Sequence, residues 1–344
     1  MSGIRTLFLL KPFLMRPIKI GIVLYNGCTS SMVTGIWDIL TQANYLYREQ
    51  KGHELFHLEL IAATKASIES FSGLRFTPHR TIRSRTNYDL IYVPGFIGSV
   101  ESILAQEHKT IQWLSSQGKS RKTVLSAACN GNFLLAESGV LNNKKATTHW
   151  SLVNMFREKY GQVSLLPEKI IVDNGSVISA AGVTAYFNLG LHIIQRFADA
   201  DLSLACAKIF LVDAGRKLQN PYQMFQLPKS HGDELIIQVQ EWMESNYREK
   251  ASATKLAGMV KLGEKTMFRR FKKATGDTPQ LYLQKLRIET AKRLLESKDM
   301  TFNEVTWEVG YSDVSSFHKA FKIETGLTPG GYRDRFFLGS NYKL

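Results

Sequence analysis

The sequence predicts two domains of different class: an α/β domain with a mostly parallel sheet, then an all-helical domain. Three observations carry this. Apolar runs of strand length alternate with stretches of helical period over roughly the first 200 residues, the pattern of β–α units closing on a parallel sheet. After Asp233 no strand candidate remains, and short helical stretches are separated by Gly, Thr-Pro and Ser-Asp. Between the two patterns, residues 216–232 carry Pro221, Pro228 and Gly232 among polar residues, which marks a linker. A length of 344 residues suits two domains better than one.

In order along the chain, 18–25 (IKIGIVLY) is apolar and short enough for a buried strand, and 31–47 has helical spacing. Residues 58–63 and 88–93 (YDLIYV, before 88 is Asn87) are further strands, the second closed by Pro94-Gly95. A helix is expected over 99–117, stopped by Gly118, and a strand over 123–128 runs into Cys129-Asn130-Gly131 and another helix. Residues 170–172 and 177–179 flank Asp173-Asn174-Gly175, a strong hairpin signal. Helices over 185–197 and 202–213 complete the first domain. The expected boundaries are an extension over 1–17, the α/β domain over 18–215, a linker over 216–231, the helical domain over 232–338 and a tail over 339–344. The extension is apolar at 7–10, is cut by Lys11-Pro12 and lacks a small-residue cleavage site. Met15 is an alternative start to Met1, because regular pattern begins at Ile18.

Composition narrows the class. Hydrophobic residues at 44% and charged residues at 22% are ordinary globular values and exclude wholesale disorder. The formal net charge of +14 suits a polyanionic partner, nucleic acid or an anionic membrane surface. The charge is not confined to one end: residues 1–229 hold 25 Lys/Arg against 15 Asp/Glu, and 230–344 hold 19 against 15. Local pattern must therefore locate the site. Cys28, Cys129 and Cys206 form no CxxC and are odd in number, which argues against a disulfide framework or a zinc site and fits a reducing cytoplasm. No metal or cofactor is expected. No apolar run is long enough to span a bilayer, and no basic amphipathic helix points to a membrane surface.

The helical domain contains one pattern twice. Residues 255–279 and 303–329 each hold a short helix, a tight connection, a second helix with Phe-Lys near its end, and then Thr-Gly-x-Thr-Pro. Gly276 and Gly326 stop the helices; Thr278 and Thr328 cap the next ones, with Pro279 and Pro329 at the first helical position. This is a tandem helix-turn-helix, a unit that lays its second helix in the major groove. In the first unit Met267, Phe271 and Ala274 share an inner face, which leaves Lys265, Thr266, Phe268, Arg269 and Lys272 as candidate DNA contacts. In the second, Phe317 and Phe321 face inward, which leaves Val314, Ser315, His318 and Lys319. Residues 264–273 hold five basic side chains and 313–322 hold two, so the first unit is expected to supply most of the phosphate attraction and the second more of the discrimination. A long helix over 278–297 spaces the two, with recognition helices expected about one DNA turn, roughly 34 Å, apart. The bland alternative is a helical bundle with solvated basic faces; two copies of the motif argue against it.

The domain resembles the AraC/XylS family of bacterial regulators. The likeness rests on Leu256-Ala257, Arg269-Arg270-Phe271-Lys272, Thr275-Gly276, Leu286-Arg287, Val309-Gly310-Tyr311-Ser312-Asp313, Phe321-Lys322, and Thr328-Pro329 before Tyr332-Arg333. It departs at Gly263, where the family usually has a Ser cap, and at Thr306, where a small Ala is usual. The resemblance implies double-stranded promoter or operator DNA as partner, a homodimer, and contact with RNA polymerase.

In the first domain Ala127-x-Cys129-x-Gly131 stands between a strand and a helix, the setting of a nucleophile elbow, where a helix N-terminus would favour a thiolate. A bare cysteine is otherwise more often an inert, buried small hydrophobe, and Cys28 and Cys206 are read so. Val93-Pro94-Gly95, Leu135-Ala136-Glu137-Ser138-Gly139, Ala146-Thr147-Thr148-His149-Trp150 and the run from Ser179 to Thr184 resemble the ThiJ/PfpI superfamily, and more closely the GlxA-like regulators that join such a domain to an AraC-type one. The resemblance implies a flavodoxin-like fold related to class I amidotransferases. Catalytic relatives commonly have His after the nucleophile, Glu after the first strand and, in GlxA-like proteins, Asp in the helix after Gly-Val-Thr; here stand Asn130, Met32 and Asn188. A degenerate, non-catalytic site is therefore expected, with Cys129, His149 and Asn130 as candidate pocket residues for a small-molecule effector at the carboxyl ends of the strands. His149 beside Trp150 is as readily a structural hydrogen-bonding residue. The alternative is a thiol-dependent hydrolase, amidase or hydratase using Cys129.

Overall fold

The computed structural model describes residues 16–337 except 121 and 226. The tail, the choice between Met1 and Met15, and all but the last two residues of the extension lie outside the described residues. The chain divides into two units, one ending at Gln219 and the other beginning at Asn220.

The strands of the first unit are β1 (Ile18–Val23), β2 (Phe56–Ala62), β3 (Ile68–Glu69), β4 (Arg75–Phe76), β5 (Arg80–Thr81) and β6 (Leu90–Val93). They continue with β7 (Val124–Ala128), β8 (Lys145–Ala146), β9 (Ser164–Leu165), β10 (Ile171–Asp173) and β11 (Val177–Ala180). Seven form one sheet in the order β10-β11-β7-β6-β1-β2-β5. All its pairs are parallel except the β10–β11 hairpin, in which Val172 faces Ser179. β6, β7 and β11 are buried along their whole length, as a parallel sheet covered on both faces requires.

The covering helices are α1 (Ser30–Lys51), α2 (Val100–Gln106), α3 (His108–Gly118), α4 (Gly131–Glu137), α5 (Val153–Lys159), α6 (Ala185–Phe197) and α7 (Ala200–Ile209). α1, α6 and α7 pack together, and α2 and α3 pack on α4. The single helix expected over 99–117 is thus two. Glu107, at φ −94° and ψ 23°, breaks it, so that both pieces reach α4. α7 also stops earlier than expected. Leu211 takes the left-handed region at φ 54°, and Val212 N–H bonds the Ala207 carbonyl at 2.9 Å, which closes a Schellman turn without glycine.

The order in which strands are added reverses between β1 and β6: β2 lies on one side of β1 and β6 on the other. The loops after these two strands meet where the Tyr25 hydroxyl donates to the Pro94 carbonyl. Cys129 follows β7, next to β6, so the elbow sits beside the switch point where open α/β sheets bind ligands.

The second unit holds α8 (Glu234–Ser245), α9 (Ala253–Met259), α10 (Glu264–Thr275), α11 (Pro279–Ser297), α12 (Phe302–Glu308), α13 (Val314–Thr325) and α14 (Pro329–Phe336). It has two cores. Ile236, Met243, Leu256, Met267 and Phe271 form one with Tyr282; Val305, Val309, Phe317, Phe321 and Tyr332 form the other with Ile288 and Leu295. α11 contributes to both, so one helix carries both helix-turn-helix units. Arg287 on α11 braces them: it donates to the Tyr247 carbonyl at 2.7 Å and the Glu249 carbonyl at 3.0 Å, and lies over the Tyr311 ring.

The stretch expected as a linker is not free chain. Ile170 N–H bonds the Lys217 carbonyl at 3.0 Å, and the Gln219 amide donates to the carbonyls of Thr148 and Pro167, which ties 217–219 into the first unit. In the second unit Lys292 donates to the Gln223 carbonyl, and His231 bonds Gln240 at 2.9 Å. Polar composition resembled a linker because partners that hold this stretch, such as Thr148 and Lys292, lie far away in sequence.

Candidate nucleic-acid interface and nucleophile elbow

Capping sets the two helix-turn-helix units before any side chain reaches a partner. Ser252 caps α9 by accepting from Lys255 N–H, and Thr301 and Glu304 form a capping box on α12. The connecting turns match: Lys261 at φ 53° and Gly310 at φ 80° each sit left-handed, followed by Leu262 N–H on the Ala257 carbonyl and Tyr311 N–H on the Thr306 carbonyl. Gly263 caps α10 with no side-chain bond, whereas Asp313 caps α13 by accepting from Ser316 N–H at 2.7 Å. Both second helices end in left-handed glycines, Gly276 and Gly326.

On α10, Met267 and Phe271 are fully buried. Lys265, Arg269 and Lys272 are exposed, as is Lys273, which the sequence reading omitted. None of the four has an ion pair or hydrogen bond among the described residues. Arg270 differs: it holds the Asp233 carboxylate through two donors at 2.9 and 2.7 Å, so four of the five basic residues of this helix are free for an external anion. Thr266 is half-buried. Phe268, expected to face outward, is half-buried against the first core. Its position one step from Met267 and three from Phe271 sets it on the flank of the inner stripe.

On α13, Phe317 and Phe321 are fully buried, and Ser315 and Lys319 are exposed on one face. Val314 is half-buried. His318 does not point freely outward: its ring lies edge-on to Phe302 and Phe317, and its Nε2 is enclosed without a partner. Ser316 and Lys322 are exposed and were missed, although Lys322 stands three residues from Lys319, the helical spacing that places them together.

In the first unit Cys129 is held on three sides. Its N–H bonds the Ala180 carbonyl at 3.0 Å, and its own carbonyl accepts from Thr148 Oγ1 at 3.1 Å and Asn132 Nδ2 at 3.0 Å. These bonds support a left-handed φ of 57°, the strained backbone of an elbow. The elbow is tightly packed. A Cβ on Gly131 would meet the Pro94 carbonyl oxygen at 2.5 Å, and one on Gly95 would meet Asn130 Oδ1 at 2.8 Å and Cys129 Cβ at 3.1 Å.

Burial pushes Cys129 up to about 11, against the lowering effect of the Asn130 N–H, a direction opposite to the thiolate expected from the helix N-terminus. The following helix, α4, has only seven residues. His149 makes no hydrogen bond to Cys129 among the described residues; its Nδ1 is engaged by Ser151 at 2.7 Å, and burial lowers its pKa. Asn130 is a clamp rather than an open pocket group: Oδ1 accepts from Phe96 N–H at 2.8 Å and Nδ2 donates to the Phe96 carbonyl at 2.9 Å. Cys28 and Cys206 are buried and likewise raised to about 11 by burial.

The model of the DJ-1/PfpI family matches residues 19–196, more than half of the chain. The chain belongs to the DJ-1/PfpI family. A helix-turn-helix domain matches residues 256–335 of this DJ-1/PfpI protein, the region that resembles the AraC type. It is similar to the HTH-type transcriptional regulator GbdR of Pseudomonas aeruginosa, 25% identical over 327 residues, covering 94% of this chain and 86% of that protein. It is similar also to the HTH-type transcriptional regulator GlxA of Rhizobium meliloti, 23% identical over 236 residues, covering 66% of this chain and 69% of that protein. It is likewise similar to an isonitrile hydratase of Pseudomonas putida, 25% identical over 185 residues, covering 54% of this chain and 74% of that enzyme. In this DJ-1/PfpI protein all three positions read as departures from catalytic relatives have structural work: Asn130 clamps Phe96, Met32 is fully buried on α1, and Asn188 accepts from Arg216 at 2.6 Å.

Proposed function

We propose that this protein is a DNA-binding transcriptional regulator, in which the DJ-1/PfpI domain binds a small effector and the tandem helix-turn-helix domain binds promoter DNA. One observation carries the reading: α10 bears four exposed cations, Lys265, Arg269, Lys272 and Lys273, without a partner among the described residues, on a helix whose opposite face is fully buried. Four such charges neutralise phosphates and release counterions, while Ser315 and Lys319 on α13 reach base edges in a second stretch of major groove. One shared helix, α11, contributes to both cores, and the two recognition helices are expected about one DNA turn apart. The regulator acts as a homodimer in the cytoplasm and contacts RNA polymerase. No helix among the described residues is long and apolar enough to cross a membrane.

Hydrolysis at Cys129 is the weaker reading. A working thiol needs a base in reach and a thiolate near neutral pH. Cys129 is raised to about 11, and the position after it is Asn130. The effector shifts DNA affinity only by as much as it prefers one conformation over another. The test is selection of genomic fragments by the full-length protein at fixed salt. Recovery of a recurrent motif with two elements one turn apart supports the reading; weak, salt-sensitive binding without a motif sinks it.

A further inference from the structure

The first unit has a recess away from the elbow. It is a cleft of about 410 Å³ bounded by residues 169–171 at the start of β10, by α6, by α7 and by residues 214–217. Lys169, Asn188, His192, Gln195, Arg216 and Lys217 are among the residues that line it, and none of its lining residues is acidic. Lys169 and Lys217 are exposed, and neither side chain has an ion pair or hydrogen bond among the described residues. Backbone pairing sets the two side by side, through the Lys169–Leu218 bridge and the Ile170 N–H on the Lys217 carbonyl.

Arg216 is the anchored member. Its Nε and Nη2 donate to Asn188 Oδ1 at 3.1 and 2.6 Å, and its Nη1 donates to Thr184 Oγ1 at 3.2 Å. Asn188 is 7% exposed and neutral, so it orients the guanidinium without cancelling its charge. An aspartate there would cancel it. Asp173, in β10, is paired with Arg196 at 2.9 Å and with the lining His192 at 2.7 Å. A cleft lined by one sign of charge on low-dielectric walls concentrates ions of the opposite sign.

We propose that this cleft binds a small organic anion bearing a carboxylate, and that it is the effector site of the α/β domain. The role as effector site rests on the regulator reading above; the binding does not. Residues 214–217 lead directly into the point where the second unit begins, so occupancy acts on the segment that joins sensor to DNA-binding domain. The carboxylate meets Arg216, Lys169 and Lys217, and the Gln195 amide is available to its polar end.

The test is calorimetric titration of the full-length protein, at fixed low salt, with acetate, succinate and inorganic phosphate, and with neutral succinamide as control. Saturable binding of succinate but not succinamide is expected. The double variant Lys169→Glu/Lys217→Glu should weaken it about tenfold or more. Asn188→Asp, which keeps every cation but places a negative charge beneath Arg216, should weaken it too, which separates a charge effect from a folding defect read by thermal melting. Lys51→Glu, at an exposed lysine on α1, should leave it unchanged. Absence of saturable binding by all three anions overturns the proposal, as does equal binding by the double variant or by succinamide. DNA selection with the same preparations keeps the two readings apart. Intact motif binding without anion binding sinks the cleft alone; anion binding without a DNA motif sinks the regulator reading and the effector role with it.

Discussion

Asn130 grips Phe96 by both backbone groups, accepting its N–H at 2.8 Å and donating to its carbonyl at 2.9 Å. The amide therefore fastens the loop after β6 to the elbow after β7. Asn130→Ala leaves two buried backbone groups unpaired and is expected to destabilise the protein by about 2 kcal/mol. Urea unfolding of the full chain measures this. Asn130→His, which restores the residue common in catalytic relatives, should also destabilise and should yield no amide or nitrile turnover. A stable variant with turnover would revive the hydrolase.

Two adjacent arginines on α10 differ in their partners. Arg269 is exposed and unpaired, while Arg270 is held by Asp233. Arg269→Ala is expected to weaken DNA binding and reduce the slope of log affinity against log salt by about 1. Arg270→Ala should leave that slope unchanged and lower stability slightly. Lys319→Ala is expected to change the ranking of sites rather than all affinities equally, as read by binding to a panel of operator variants.

Where the sequence was readable, the reason was local. β1, β6 and β7 are apolar runs closed by turn signals, and α10 and α13 carry a clean inner face at helical spacing. Where it was not, the deciding partner lay far along the chain. Asp233, which holds Arg270, is 37 residues away, and Gln219 finds Thr148 across 71. The two-residue strand Arg80–Thr81 has no apolar pattern, because only Ile61 and Ala62 of β2 define it. The Glu107 break was hidden because apolar spacing continues through it, and the left-handed turn at Leu211 because leucine carries no turn signal.

Burial raises all three cysteines to about 11, and for Cys129 this makes a distinct prediction. Near neutral pH only about one molecule in ten thousand would carry the thiolate. Alkylation by iodoacetamide, followed by peptide mass spectrometry, should be slow at pH 7 and rise about tenfold per pH unit until about pH 10. Rapid labelling of Cys129 at pH 7 would contradict the structural role given to it here.

Acid should loosen the sheet at one carboxylate. Burial alone would raise Glu59, but the Tyr88 hydroxyl at 2.7 Å, Lys19 and His57 outweigh it and hold the group down at about 2. Its folded pKa thus lies below the unfolded value of about 4.3. The contribution, on the order of 2 kcal/mol, is complete above that unfolded value and is lost as pH falls toward 2. Glu59→Gln should lower stability at pH 7 and flatten the dependence of unfolding free energy on pH below about 4.5. An unchanged slope would show that other carboxylates dominate acid unfolding.

The two helix-turn-helix turns have the same geometry but different residues, which permits opposite predictions. Lys261 holds φ 53° in the first, an exposed side chain in a region that favours glycine. Lys261→Gly removes that strain and gives up some unfolded-state entropy, so a net gain of up to about 1 kcal/mol is expected. Gly310 holds φ 80° in the second, and a Cβ there would lie 2.7 Å from both the Cα and the carbonyl oxygen of Arg248. Gly310→Ala adds that clash to the strain, with backbone rather than a flexible side chain in the way, and should cost about 2 kcal/mol or more. Guanidinium unfolding of the two variants should move the midpoint in opposite directions. Because Arg248 lies just before the first helix-turn-helix unit and Gly310 within the second, Gly310→Ala should also weaken binding to a two-element operator more than to a single element. Equal losses on both would mean that the contact stabilises the fold without setting the register of the recognition helices.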